Sequence, residues 1–196
     1  MIPTPEGPRA VVLPRRQLLI VGAVVAGGAV SGCLGGTDEV PEPIALDGDK
    51  YCDTCGMLIE AQPGPAGQAH YDGFAPEAHD PPAWFCSATC AYEYTFERER
   101  DGHDLEVLYL TDYTAVDWEV TTDDDARFIT AHLSAEAFAR ARELSLVAGS
   151  EVRGAMGADL IGFSEAADAE AFVDEFGGTI YTHDEVTPEL VASLSD

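Results

Sequence analysis

The sequence predicts an α+β fold made of two similar small β/α lobes, each a strand–helix–strand repeat, set after a linker. Two observations predict it. Short apolar runs with turn residues between them alternate with stretches of helical composition. Moreover, Phe85-Cys86-Ser87-Ala88-Thr89-Cys90-Ala91 lies naturally on Phe163-Ser164-Glu165-Ala166-Ala167-Asp168-Ala169. Each copy follows a strand, opens a helix and leads to another strand, which suggests an internal duplication.

Residues 1–32 read as an export leader. Arg15-Arg16 precede an apolar run from Leu18 to Val30. That run is short of the roughly 20 residues a membrane-spanning helix needs, and it suits the apolar region of a signal peptide. The paired arginines point to the twin-arginine route, a receptor-read address. Val30-Ser31-Gly32-Cys33 has the form of a lipobox, which makes Cys33 the lipid-bearing residue. Residues 33–46, rich in Gly, Pro and acids, read as a tether, so the lobes follow a lipid-tethered linker. The protein is therefore expected on the extracytoplasmic face of the cell membrane.

The first lobe, residues 47–120, opens with a cysteine motif and a Pro/Gly-rich loop that holds a short strand at Gln68–Tyr71. Ala83–Phe85 ends a strand, Ser87 caps a helix that runs to about Arg98, and Leu105–Leu110 is an apolar strand. Trp118–Val120 is a further strand candidate. The second lobe, residues 121–187, starts with an acidic turn at Asp123-Asp124-Asp125 and a strand at Arg127–Thr130. Ala and Glu predict a helix over Ala135–Arg142, capped by Ser134. Leu144–Ala148 and Leu160–Phe163 read as strands around a loop at Gly154–Gly157. Ser164 is expected to cap a helix over Glu165–Phe176, which Gly177-Gly178 stops before a strand at Thr179–Thr182. Residues 188–196 read as a tail.

The chain carries 10 basic and 36 acidic residues, net −26. Cleaving the leader removes Glu6, Arg9, Arg15 and Arg16 and leaves 7 basic and 35 acidic residues, net −28, with Lys50 the sole lysine. With 46% hydrophobic residues the chain still has a core to bury, so it is not a disordered acidic protein. An acidic, lysine-poor shell suggests a halophilic proteome. It disfavours nucleic acid as a partner, because phosphates would be repelled.

Chemistry concentrates in Cys52-Asp-Thr-Cys55-Gly56-Met57 and Cys86-Ser-Ala-Thr-Cys90. Two short-spaced pairs can present four sulfurs to one metal ion. Soft thiolates favour Cu(I), Zn(II) or iron–sulfur centres, and the thioether of Met57 favours Cu(I). Disulfides are a competing reading on an oxidising side of the membrane. A thioredoxin-like redox site fits poorly, since no apolar strand precedes Tyr51 and Gly56 follows the second cysteine. Met156, between glycines, is either core filler or a further thioether donor. His70 and His132 are candidate nitrogen donors. His79, His103 and His183 read as surface residues. The sequence holds no Ser/His/Asp set, phosphate-gripping glycine loop or zinc-protease motif, and no catalytic turnover is expected.

Cys55-Gly56-Met57-Leu-Ile, the lipobox at Cys33, Val107-Leu-Tyr-Leu-Thr111-Asp112-Tyr113, and Gly149-Ser150-Glu151-Val152-Arg-Gly-Ala-Met156-Gly157 with Phe163 and Ala169-Glu-Ala-Phe172 resemble the NosL family, in a haloarchaeal form. The resemblance spans most of Asp47–Glu185. It implies an exported copper lipoprotein of two similar lobes, which binds Cu(I) and hands it to a copper acceptor protein, nitrous oxide reductase, for assembly of its copper–sulfide centre. Met57 and Met156 fall on the family's methionine motifs, and Cys55 on the residue before its Gly-Met. Cys86 beside Cys90 departs from the pattern. That pair keeps open a lipoprotein whose four cysteines hold a structural Zn(II) site and whose role is protein binding.

Overall fold

The computed structural model describes residues 40–195. The leader, Cys33 and the first part of the tether lie outside the described residues. The elements are β1 Gly67–Tyr71, β2 Ala83–Phe85, α1 Ala88–Arg100, β3 Leu105–Thr111, β4 Val120–Asp123 and β5 Ala126–Ile129. They continue with β6 Phe138–Arg140, β7 Ser145–Gly154, β8 Gly157–Phe163, α2 Ala166–Phe176, β9 Thr179–Tyr181 and α3 Pro188–Leu194. The class is α+β, with a four-stranded sheet in the order β2-β1-β3-β6 and a five-stranded sheet in the order β4-β5-β7-β8, where β9 also pairs with β7.

The first sheet is antiparallel throughout. Its central strand β1 is buried along its whole length. At Gly67 a Cβ would stand 2.9 Å from the Leu110 side chain and 3.1 Å from Ala91, so the missing side chain lets α1 press onto the sheet. The second sheet shows why its strands read as apolar runs. Alternate residues of a strand face opposite sides of its sheet. Leu146, Ala148 and Leu160 face a core shared with the first sheet, whereas Val147, Val152, Ile161 and Phe163 face α2. The sheet is thus buried on both faces. α2 answers with Ala169, Phe172 and Phe176, the one face that helical periodicity brings together.

Several expectations change in the folded chain. The helix predicted over Ala135–Arg142 is instead two 3-10 turns, Ala135–Ala137 and Ala141–Glu143, around β6. Pairing of Tyr109 with Arg140, Leu110 with Ala139 and Thr111 with Phe138 satisfies the open edge of β3. That need outweighs the helical preference of Ala and Glu, which is only a weak prior. Ser134 makes no side-chain cap. β6 therefore completes the first sheet although it comes from the second half of the chain.

β7 continues beyond Ala148 to Gly154, through a register shift that Gly149 (φ +70) accommodates. β4 begins at Val120 rather than at Trp118, whose indole packs against the second core. Glu165, without a side-chain cap, precedes α2. The Ser164 N–H instead donates to Asp112 Oδ1 at 2.9 Å. Beyond residue 187, where the sequence suggests only a tail, Thr187 caps α3, and Val191 and Leu194 are buried against the first core.

Candidate metal centre

Both cysteine pairs sit on tight local structures that their sequences explain. The first is a small hairpin closed by an isolated bridge between Tyr51 and Leu58. Inside it the Cys52 N–H donates to the Met57 carbonyl, and the Gly56 N–H to the Cys52 carbonyl, each at 2.8 Å. Gly56 takes φ +74, the left-handed conformation that lets the chain reverse directly after Cys55. No strand-to-helix junction surrounds this Cys-x-x-Cys, which removes the structural basis of a thioredoxin-like site.

The second pair straddles the start of α1. Cys86 follows β2 and Cys90 lies in the first helical turn. Between them Ser87 Oγ accepts the Cys90 N–H at 2.9 Å, as the sequence predicts for a helix cap.

Polar side chains fasten the first turn to the second. The Asp53 N–H donates to the Trp84 carbonyl at 2.9 Å, and the Trp84 N–H donates to Asp53 Oδ2 at 2.8 Å. The Trp84 indole N–H reaches the Tyr51 carbonyl at 2.8 Å, and Thr54 Oγ1 donates to the Cys90 carbonyl at 2.9 Å. His79 is not a loose surface residue. Its ring stacks on Trp84 with centroids 3.6 Å apart, and its Nε2 lies 3.0 Å from Asp53 Oδ1. None of these helpers stood out in the sequence, because they come from a Pro-rich loop, a strand and the variable positions of the motif. His183, also expected at the surface, is half-buried and bonded to the Tyr92 hydroxyl. His103 stacks against Phe74.

The result is one cluster. The sulfurs of Cys52, Cys55, Cys86 and Cys90 all lie within 4.8 Å of one another, and those of Cys55 and Cys86 are 3.4 Å apart. All four cysteines are free thiols. Four sulfurs each 2.3 Å from a common ion stand about 3.8 Å apart at tetrahedral angles. The cluster is thus of the right size for one soft cation. Cys52, Cys86 and Cys90 are buried, and Cys55 is exposed.

Hydrogen bonds from the Cys86 and Cys90 thiols hold the Cys52 thiol well below its ordinary range. As donors to Cys52, Cys86 and Cys90 are themselves pushed up, and burial adds to the rise. Burial and the bonds among the thiols thus oppose ionising them all together, and a cation among the sulfurs would favour it.

The remaining candidate donors are Met57, Met156, His70 and His132. The half-buried Met57 side chain packs against the first core, next to the hairpin that its carbonyl helps to close. Met156 is 44% exposed at the tip of the β7–β8 hairpin. It lines a cavity of about 620 Å³ with Asp125, Arg127, Glu151 and Arg153. His70 is buried on β1, its Nε2 without a partner, and burial lowers its pKa. His132 packs edge-on against Tyr113 with Nε2 3.2 Å from Thr130 Oγ1, and burial lowers its pKa as well. Among the described residues, neither histidine belongs to the group of four sulfurs.

Comparison with known proteins gives a consistent result. A family model described as NosL matches residues 43–191. The copper-binding lipoprotein NosL of Stutzerimonas stutzeri is 31% identical over 172 residues, covering 86% of this chain and 80% of that protein. The crystal structure of the copper chaperone NosL from Shewanella denitrificans aligns with a TM-score of 0.58 at 29% identity. That match covers 74% of this chain and 95% of the other.

Proposed function

The chain belongs to the NosL family, and from that premise we propose that it is an exported, lipid-anchored Cu(I) chaperone with no catalytic turnover. The observation that carries the reading is a four-sulfur cluster with three buried members and one, Cys55, open to solvent. Copper is the cargo. Cys52, Cys86 and Cys90 retain the ion while an acceptor's sulfur or imidazole displaces Cys55 first. Cu(I) accepts two or three soft donors, so each intermediate of such an exchange keeps the ion bound. Met57 and Met156 serve as auxiliary thioether donors during loading and transfer. The acceptor is an extracytoplasmic copper enzyme, nitrous oxide reductase in this reading.

The names of the relatives support the copper assignment, and the lipoprotein relative supports anchoring through Cys33. Among the described residues no helix is long and apolar enough to cross a membrane. A Cys33→Ala chain is expected to leave the membrane fraction. Unchanged retention after a carbonate wash would show that something other than a lipid on Cys33 holds it.

Four sulfurs within 4.8 Å of one another, three of them buried, favour one second reading, a structural Zn(II) site in a protein-binding module. Competition separates the two. The reduced protein is expected to take one Cu(I) from a chromogenic chelator, to resist Zn(II) displacement, and to restore copper to metal-depleted nitrous oxide reductase. Retention of Zn(II) against excess Cu(I) would replace the chaperone reading with the structural one.

A further inference from the structure

We propose that Asp159 is a positioning residue of the sulfur cluster: a carboxylate supplied by the second sheet that holds the cysteine-bearing start of α1 in place. The inference rests on the metal-site reading above and concerns a residue far from it in sequence. Asp159 is on β8 and is 1% exposed. Its Oδ1 accepts the N–H of Thr89 at 3.0 Å and that of Leu160 at 2.9 Å. Thr89 lies between the cap Ser87 and the ligand candidate Cys90. The first turn of α1 contains no acid of its own. Ser87 Oγ takes the Cys90 N–H, and Asp159 takes the neighbouring one. Two of the donors that every helix leaves unpaired at its start are thus satisfied, one locally and one from the other sheet.

The surroundings show that this carboxylate is costly to keep. Its Oδ2 has no hydrogen-bond partner. It occupies space left by Gly154, where a Cβ would collide with that oxygen. The neighbouring residues Leu160 and Ile161 are fully buried and apolar. A carboxyl in such a place needs a compensating role, because burying it unpaired is unfavourable. The role available is the bond to α1. Cys86 and Cys90 flank the bonded amide, while Thr54 ties the Cys90 carbonyl to the other cysteine turn. Thr54 thus anchors the helix start on one side and Asp159 on the other, beside the Asp53 and Trp84 bonds that join the two turns. Outer partners that orient metal ligands are generally worth about 10–100-fold in metal affinity.

The test uses the mature chain and two readouts. The first needs no metal. Diamide takes two electrons and two protons from a thiol pair, and peptide mapping follows the Cys55–Cys86 disulfide that spans the two cysteine turns. The second is Cu(I) affinity by chelator competition, with circular dichroism to establish that each variant is folded. Asp159→Leu is expected to slow the disulfide several-fold and to weaken Cu(I) by roughly 10–100-fold. Asp159→Asn keeps an acceptor for the Thr89 N–H and is expected to restore both readouts to near wild type. Gly154→Ala displaces the carboxylate without removing it. It should shift both readouts in the same direction, and it carries the test if Asp159→Leu does not fold. A folded Asp159→Leu or Gly154→Ala chain with the wild-type disulfide rate and Cu(I) affinity would overturn the proposal. A wild-type chain that binds no Cu(I), but whose disulfide rate responds to Asp159, would overturn the cargo reading and leave the positioning role standing.

Discussion

The two strand-to-helix junctions use one local design for opposite ends. At the end of β2, Cys86 and Cys90 bracket a capped helix start, and the buried first turn of α1 faces sulfur and hydroxyl groups. At the end of β8, Phe163 leads into α2, whose start has no side-chain cap. There Phe172 meets Phe163, Phe176 and Trp118, with ring centroids 5.3, 4.8 and 5.7 Å apart. The first junction sets two thiols and a hydroxyl cap within the first core. The second is an aromatic core, and its strand lends Asp159 to the first. The aromatic core behind the second junction thus backs the strand whose Asp159 bonds the cysteine-bearing helix start.

The sharpest way to break this comparison is to remove the ligands. Cys86→Ser with Cys90→Ser should lower Cu(I) affinity by more than the roughly 100-fold that loss of an outer partner brings. The second core should remain intact. Chelator competition reads the first, and near-ultraviolet circular dichroism of the Phe163–Phe172 cluster reads the second. Copper binding undiminished in the double variant would separate the metal site from this junction.

Next in size is the reverse experiment. Phe172 is 2% exposed, and Phe172→Ala should cost about 3–5 kcal/mol in denaturant unfolding, the usual range for an emptied aromatic site. At a temperature where the variant is folded, its copper affinity should stay close to wild type. A large loss of copper in the folded variant would mean that the two junctions do not divide the work as described.

The smallest expected effect is in pH. Burial pushes the Asp159 carboxyl up to about 7, from an ordinary value of 3.8. The native state therefore holds this proton more tightly than the unfolded chain does. Its contribution to stability is complete below about pH 4 and is lost as pH rises through 7. Buried His70 and the partly buried His132 and His183 have values lowered by desolvation, and they act in the opposite sense, costing stability as pH falls through about 6.5. The comparison with Asp159→Asn isolates the acid. The advantage of wild type over the variant should decline between pH 4 and 7 and then level off. A pH-independent difference would remove Asp159 as a titrating link between the junctions.

How much was legible followed from the range of the forces involved. β1, β2, β3, α1 and α2 lie close to their expected bounds, because each carries its own periodicity or its own stop signals, whereas β8 begins at Gly157, three residues before the expected Leu160. Ser87 was readable as a cap, since the bond it makes spans only three residues. The helix expected at Ala135–Arg142 failed for the complementary reason. Its fate was decided by the open edge of β3, about thirty residues earlier in the chain. Asp159 left no usable signal. An acid near the start of an apolar run reads as the edge of a strand, and its partner amide is 70 residues away.

By itself the sequence determined the donor chemistry. Cysteine spacing, Gly56 and the adjoining methionine specify two sulfur turns and the soft ions they suit. It also determined the net charge of −26, because composition is a property of the chain alone. The tertiary structure decided that both turns meet in one cluster, that Cys55 is its exposed member, and that His70 and His132 do not belong to that group of sulfurs. Side chains far apart in sequence converge only when buried apolar faces force two sheets together. Hydrogen bonds such as those of Asp53, Thr54 and Asp159 then choose one arrangement among those the packing allows.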